Sequence, residues 1–185
     1  MMDWELPLFN IAIVIVFYET FHAYLYYKSK ELKREGKISV RVLDINEENA
    51  VTLNSIFFRN TIVFLSNKIG EEVLTHEEGH TKQFNYIYAF LIAVAASLPV
   101  STWLAIPAIP VGKFLLWRIE RGADLYAYTK YNIKYESVAE RPKSRIERLK
   151  AWVFDSHPPD YIRTKGEYYE KSNSLIKLLL KDLFS

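Results

Sequence analysis

The chemistry in this chain gathers in Thr75-His76-Glu77-Glu78-Gly79-His80, an H-E-x-x-H pattern. On an α-helix, positions four apart share a face, so His76 and His80 can grip one metal ion. Glu77 sits one residue round, within reach of a water at an open coordination position. Two imidazoles, a third protein ligand and a carboxylate base are the parts of a hydrolytic zinc site. Two of the chain's four histidines fall in this pattern. The plainer alternative is a polar helix face carrying two solvated histidines.

A third ligand has to come from elsewhere, and Ile119-Glu120-Arg121-Gly122-Ala123-Asp124 offers it. Glu120 closes a long apolar arm in a register that predicts a helix. Asp124 stands one turn further on the same face, placed to accept a hydrogen bond from a ligating imidazole and fix its tautomer. By itself an E-x-x-x-D pair is usually a solvated helix face; its weight comes from the motif that precedes it.

The elements that must position these residues are legible in outline. A chain of 185 residues is one domain's worth. A net charge of +2 and a pI near 8.6 are too mild to argue for a nucleic-acid partner. With no cysteine, disulfides, thiolate zinc sites and cysteine nucleophiles are excluded. Half the residues are hydrophobic while the charges cluster, which points towards membrane lipid as a partner.

Leu6 to Tyr18 carries no charge, and the tyrosines at 24, 26 and 27 precede Lys28, Lys30, Lys33 and Arg34. An apolar helix of about 20 residues ending in an aromatic belt and then lysines reads as a span finishing on the cytoplasmic side. An amphipathic core helix is the alternative, since Glu19 and His22 interrupt the run; His22 is read as packing, with no role. Cleavage signals are missing and the amino-terminal end is acidic (Asp3, Glu5), which argues against a removable signal peptide. Residues 1–37 are thus a membrane segment with a basic flank, and 38–185 the domain proper.

From Ile38 to Leu65 short β-prone runs (Ile38 to Val42, Ala50 to Leu53, Ile56 to Phe58, Thr61 to Leu65) predict a small antiparallel sheet leading into the motif helix. Ser66 or Asn67 is placed to cap that helix, and Glu71 and Glu72 suit its positive end. From Gln83 to Gly112 there is no charged residue, a run of about thirty. Pro99, Pro107 and Pro110 forbid one straight helix there. A hairpin turning near Leu98 to Thr102, spanning 83–118, returns the chain to the metal. Its arms are shorter than a full span, so partial insertion is one reading and a buried helical pair in a soluble core the other. The expected fold class is α+β and mainly helical.

In this order, H-E-x-G-H, then E-x-x-A-D after an apolar hairpin, then His157-Pro158-Pro159 with Arg163, the residues resemble the HtpX and CAAX prenyl protease type of membrane zinc endopeptidase (metallopeptidase family forty-eight). Asn49-Ala50 and Thr61 to Leu65 resemble that family's segment before the active-site helix, so the likeness covers roughly 38 to 163. It implies a zincin-like core, one Zn2+ per chain on His76, His80 and Glu120, Glu77 as base and Asp124 behind the ligands. It also implies a place for His157 near substrate or oxyanion. Zinc would bring its water to a pKa of about 7 for attack on a peptide carbonyl, with Glu77 taking the proton. A protein or peptide substrate would add as a strand along Thr61, Ile62 and Val63. Arg163 is placed to pair with Asp124 or Asp160.

The sequence departs from that family in three places. Glu78 stands where the family usually has an apolar residue, Arg121-Gly122 replaces a commoner aromatic-rich pair, and one amino-terminal apolar segment stands where two are usual. Glu78 and Gly122 keep open a catalytically inactive, membrane-anchored binding module, against which the intact Glu77 argues. Intramembrane proteases that use H-E-x-x-H fit less well, because Glu71, Glu72, Glu78 and Lys82 surround the motif. A soluble zincin is the remaining variant. The leucine-rich tail Ser172 to Phe184 reads as a packing helix or a membrane-surface one.

Overall fold

The computed structural model describes residues 4–47 and 49–185, so Asp3 lies outside the described residues. The chain begins with helix α1 (Glu5–Lys28), then strands β1 (Lys30–Glu35), β2 (Ile38–Val42), β3 (Ala50–Leu53) and β4 (Thr61–Phe64). Helices α2 (Glu71–Thr81), α3 (Tyr86–Ser97), α4 (Ala105–Tyr131) and α5 (Arg145–Phe154) follow. Two single turns, α6 (Asp160–Arg163) and α7 (Gly166–Tyr169), lead to α8 (Leu175–Phe184). The fold is α+β and mainly helical, as expected. Among the described residues α1 is the one helix long and apolar enough to cross a membrane.

The sheet is mixed, not antiparallel. Its order is β1-β2-β4-β3, with β2 and β4 parallel and the outer pairs antiparallel. Alternation along a strand decides which face is buried; it carries no information on neighbour order. β4 is buried at every position because both faces are covered. Ile62 and Phe64 pack with Ile38, Val40 and Ala50 beneath α2, while Val63 joins Leu53 and Leu25 of α1 on the other face.

β1 escaped the sequence reading. Its residues, Lys-Glu-Leu-Lys-Arg-Glu, are all exposed and look like a juxtamembrane basic cluster. They form an edge strand instead, joined to β2 by a tight turn in which Gly36 takes φ 59°, a conformation open to glycine. A charged edge of this kind blocks strand-to-strand association. The boundary drawn after residue 37 therefore cuts a hairpin.

The expected caps of α2 are also different. Gly70 occupies the cap position without a side-chain bond, Ser66 Oγ accepts from the Lys68 backbone N–H, and Asn67 Nδ2 donates to Asp44. Glu71 and Glu72 do lie in the first turn. The apolar run forms the expected helical hairpin, breaking after Ser97 and resuming through a short turn at Thr102–Leu104. Pro110 is accommodated inside α4. The tail packs: Leu175 and Leu178 join Trp117, Trp152, Tyr161 and Tyr168 in one cluster. Asp182 accepts bonds from Trp152 Nε1 (3.0 Å), Tyr161 Oη (2.9 Å) and Arg141 Nε (2.8 Å).

α2 and α4 run antiparallel in close contact at Gly79. A Cβ there would lie 2.8 Å from Ala123 Cα and 2.9 Å from its carbonyl oxygen. Neither atom can move without displacing the helix. Gly79→Ala should therefore cost about 1–3 kcal/mol, read as a lowered denaturation midpoint in detergent. Gly166→Ala, where nothing lies within 4 Å and φ is not positive, should leave the midpoint unchanged or slightly raised.

Candidate metal centre

The crossing at Gly79 sets two one-turn pairs face to face, His76 and His80 on α2 against Glu120 and Asp124 on α4. His76 Nε2 lies 3.1 Å from His80 Nε2 and 3.3 Å from Glu120 Oε2, and His80 Nε2 lies 3.6 Å from Glu120 Oε1. Ligands about 2.1 Å from a tetrahedral ion stand roughly 3.4 Å apart, so this donor set fits a single metal ion of zinc's size. The three residues are the candidate ligand group among the described residues.

The tautomer is set from behind. His76 Nδ1–H donates to Asp124 Oδ1 (2.8 Å), which turns Nε2 towards the centre. Asp124 is itself buried and takes a bidentate bond from Arg163 (Nε to Oδ2, 2.9 Å; Nη2 to Oδ1, 2.8 Å) and one from Tyr168 Oη (2.9 Å). Burial alone would raise the Asp124 carboxyl, but the bonds from His76 and Arg163 prevail and hold it down at about 2. Burial disfavours charge on His76, yet its bonds to Asp124 and Glu120 lift the imidazole to about 10. The Glu120 carboxyl is burdened by burial and is nonetheless held far below its usual range by both imidazoles. All three shifts have one geometric cause, two carboxylates held against the imidazole pair.

Glu77 lines the same cavity, of about 550 Å³, together with Asn49, Glu72, Tyr135, His157 and Arg163. The Thr52 hydroxyl of β3 lies 2.6 Å from Glu77 Oε2 and orients that carboxylate. His157 stands at the rim, partly exposed, with Nδ1 3.0 Å from the Pro158 carbonyl oxygen and 3.6 Å from Asp160. Arg163 pairs with Asp124 foremost and approaches Asp160 only at 3.7 Å.

Thr61, Ile62 and Val63 do not reach the cavity, and the strand they form has no free edge. β4 is paired on both sides, so its backbone groups are already committed. The open edge beside α2 belongs to β3. Since Leu65 N–H bonds the Asn49 carbonyl (2.9 Å), the register turns the backbone groups of Ala50 and Thr52 outward.

Glu78, Gly122 and Arg121 each have a structural reason. Glu78 ties the end of α4 to α2: it accepts from Tyr126 Oη (2.7 Å), Lys130 Nζ (2.9 Å) and Tyr131 Oη. Partial burial raises its carboxyl, but these bonds bring it down to about 2. Gly122 leaves room for Gln83, whose Nε2 donates to the Ile119 carbonyl (3.0 Å) and would meet a Cβ at 2.8 Å. Arg121, buried, gives four bonds to the carbonyls of Tyr168, Glu170 and Asn173 and so anchors the segment that carries Tyr168. Thr52 and Tyr168 carried no local signal, because each matters only through a partner distant in the chain.

Asp124→Asn keeps a carbonyl for His76 but strips the buried Arg163 of its counter-charge. Metal affinity should fall about 10- to 100-fold in chelator competition. Stability should fall by about 3–5 kcal/mol in chemical denaturation. No family model matches the chain, and no curated protein or solved structure matches it either.

Proposed function

We propose that this chain is a zinc-dependent endopeptidase with a zincin-type core, anchored in a membrane. The observation that carries the reading is the convergence of His76 Nε2, His80 Nε2 and Glu120 in one cavity with Glu77. A bound zinc supplies a Lewis acid for a carbonyl and an acidified water. Glu77 accepts the proton of the attacking water and passes it to the leaving amine. Thr52 fixes the direction of the Glu77 carboxylate. An extended substrate pairs with the outward backbone groups of Thr52 and the Ala50 carbonyl, the open edge of β3. His157 and Tyr135 are the side chains at the rim able to donate to a developing oxyanion.

The membrane part of the reading rests on α1 and the α3–α4 hairpin. Lys28, Lys30, Lys33, Arg34 and Lys37 cluster where α1 ends, which favours the cytoplasmic side for the domain. A second reading, a metal-holding module without hydrolysis, draws on the Thr52 contact, since it engages one oxygen of the proposed base.

The deciding comparison uses the detergent-solubilised full chain on an unfolded protein substrate. Chelator-sensitive cleavage is expected, and Glu77→Gln should lower it about 10²- to 10⁴-fold with metal content unchanged. Equal behaviour of the two proteins, both metal-loaded and inert, would favour the non-hydrolytic module. On intact cells, an impermeant reagent should leave Lys33 and Lys37 unmodified; their modification from outside would reverse the assigned orientation.

A further inference from the structure

The apolar helices leave the domain side by side, and contacts between them give their relative heights. α1 and α3 run antiparallel, because the Tyr18 and Tyr88 rings stack at 4.2 Å and Asn10 Nδ2 lies 3.4 Å from the Ala95 carbonyl oxygen. α3 and α4 are antiparallel as well, since Gln83 just before α3 bonds the Ile119 carbonyl while a Cβ on Gly112 would come within 2.9 Å of the Phe90 ring. Continued outward, this register sets Trp4 level with the turn that carries Trp103. Continued inward, it sets Lys113 level with Phe17.

α1 cannot slide outward from that register. Glu19 accepts from the backbone N–H groups of Ile56 (2.9 Å) and Phe57 (3.4 Å), and Leu25 is packed with Leu53 and Val63. The helix from Glu19 onward is thereby committed to the domain. What projects, from Trp4 to Phe17, rises about 20 Å. α3, with 12 residues, rises about 18 Å. Both fall short of the hydrocarbon core of an ordinary bilayer, about 30 Å.

Both ends of this short band are marked. Its outer faces expose Phe9, Val16, Leu91, Ile106 and Ile109. At the far end Trp4 and Trp103 are 61% and 77% exposed, the placement of indoles at a membrane interface. At the near end stand Lys113 and, a turn beyond, Arg118. A bundle that stopped halfway through a normal bilayer would leave the polar Ser101-Thr102 turn and both indole N–H groups in hydrocarbon, where unsatisfied polar groups are strongly disfavoured.

We propose that α1, α3 and the start of α4 cross the membrane by holding the hydrocarbon layer around them to about 20 Å, so that the partner this surface fits is a locally thinned bilayer. The inference rests on the membrane reading of these helices given above. It also bears on the substrate. A neighbouring transmembrane segment of ordinary length would outreach the thinned layer, and the domain side is where Glu120 lies, about 10 Å below Lys113 along α4.

The test uses the full chain in phosphatidylcholine vesicles with monounsaturated tails of 14, 18 or 22 carbons. The chain has no cysteine, so Thr102→Cys gives a single labelling site in the far turn that leaves both tryptophans in place. The unfolding midpoint should be highest with 14-carbon tails and fall by about 2–4 °C at each lengthening. A polarity-sensitive fluorophore on that thiol should report a headgroup environment in the 14-carbon vesicles. A midpoint indifferent to tail length, or highest at 18 or 22 carbons, in protein that resists an alkaline carbonate wash would overturn the thinning and leave the membrane reading standing. Release by the wash would overturn both.

Discussion

The structure depends on how closely α2 and α4 approach at Gly79 and Ala123. Any side chain on residue 79 would occupy the space of the Ala123 backbone. Glycine in a helix interior costs about 1 kcal/mol in propensity, and this chain accepts that cost in an 11-residue helix. The return is geometric: two helices close enough for short side chains to bridge. Glu120 and Asp124 can then stand opposite His80 and His76 without stretching. Gln83 and Gly122 repeat the device one turn away, and Glu78 closes the other end on Tyr126 and Lys130. The ligand triangle is therefore a by-product of helix packing more than of any loop.

Asp124 is the electrostatic counterpart of that crossing. A buried carboxylate is expensive unless its lone pairs are occupied, and here His76, Arg163 and Tyr168 occupy them. Each donor comes from a different part of the chain, so the carboxylate also fastens the carboxy-terminal segments to the centre. Arg121 continues the fastening by taking up the carbonyls around α7. Arg121 is therefore a strut that holds Tyr168 against Asp124.

α1 divides in the same spirit into an exposed apolar part and a packed part. Its far part is apolar and exposed, while Glu19, His22 and Leu25 are buried against the sheet. One helix therefore transmits the position of the apolar bundle directly to the core under β4. α4 does likewise from the other side, running without a break from Ala105 past Glu120 to Tyr131. The candidate ligand Glu120 thus sits on the same helix as the exposed apolar residues Ile106 and Ile109.

Much of this was legible in the residues. The pairing of His76 with His80, the Glu120–Asp124 step and the proline-broken apolar hairpin are all local features. Helical periodicity alone places such residues on a common face or ends an element, and no distant partner is required. The order of the strands, the burial of Thr61, Ile62 and Val63, the open edge at β3, the Thr52 contact to Glu77 and the purpose of Gly79, Arg121 and Gly122 were not. Each of these is a relation between segments far apart in the chain, and alternation or spacing within one segment is silent about which segment becomes its neighbour. The sequence by itself determined the chemistry on offer; tertiary packing decided which backbone edge faces it and which side chains hold it in place.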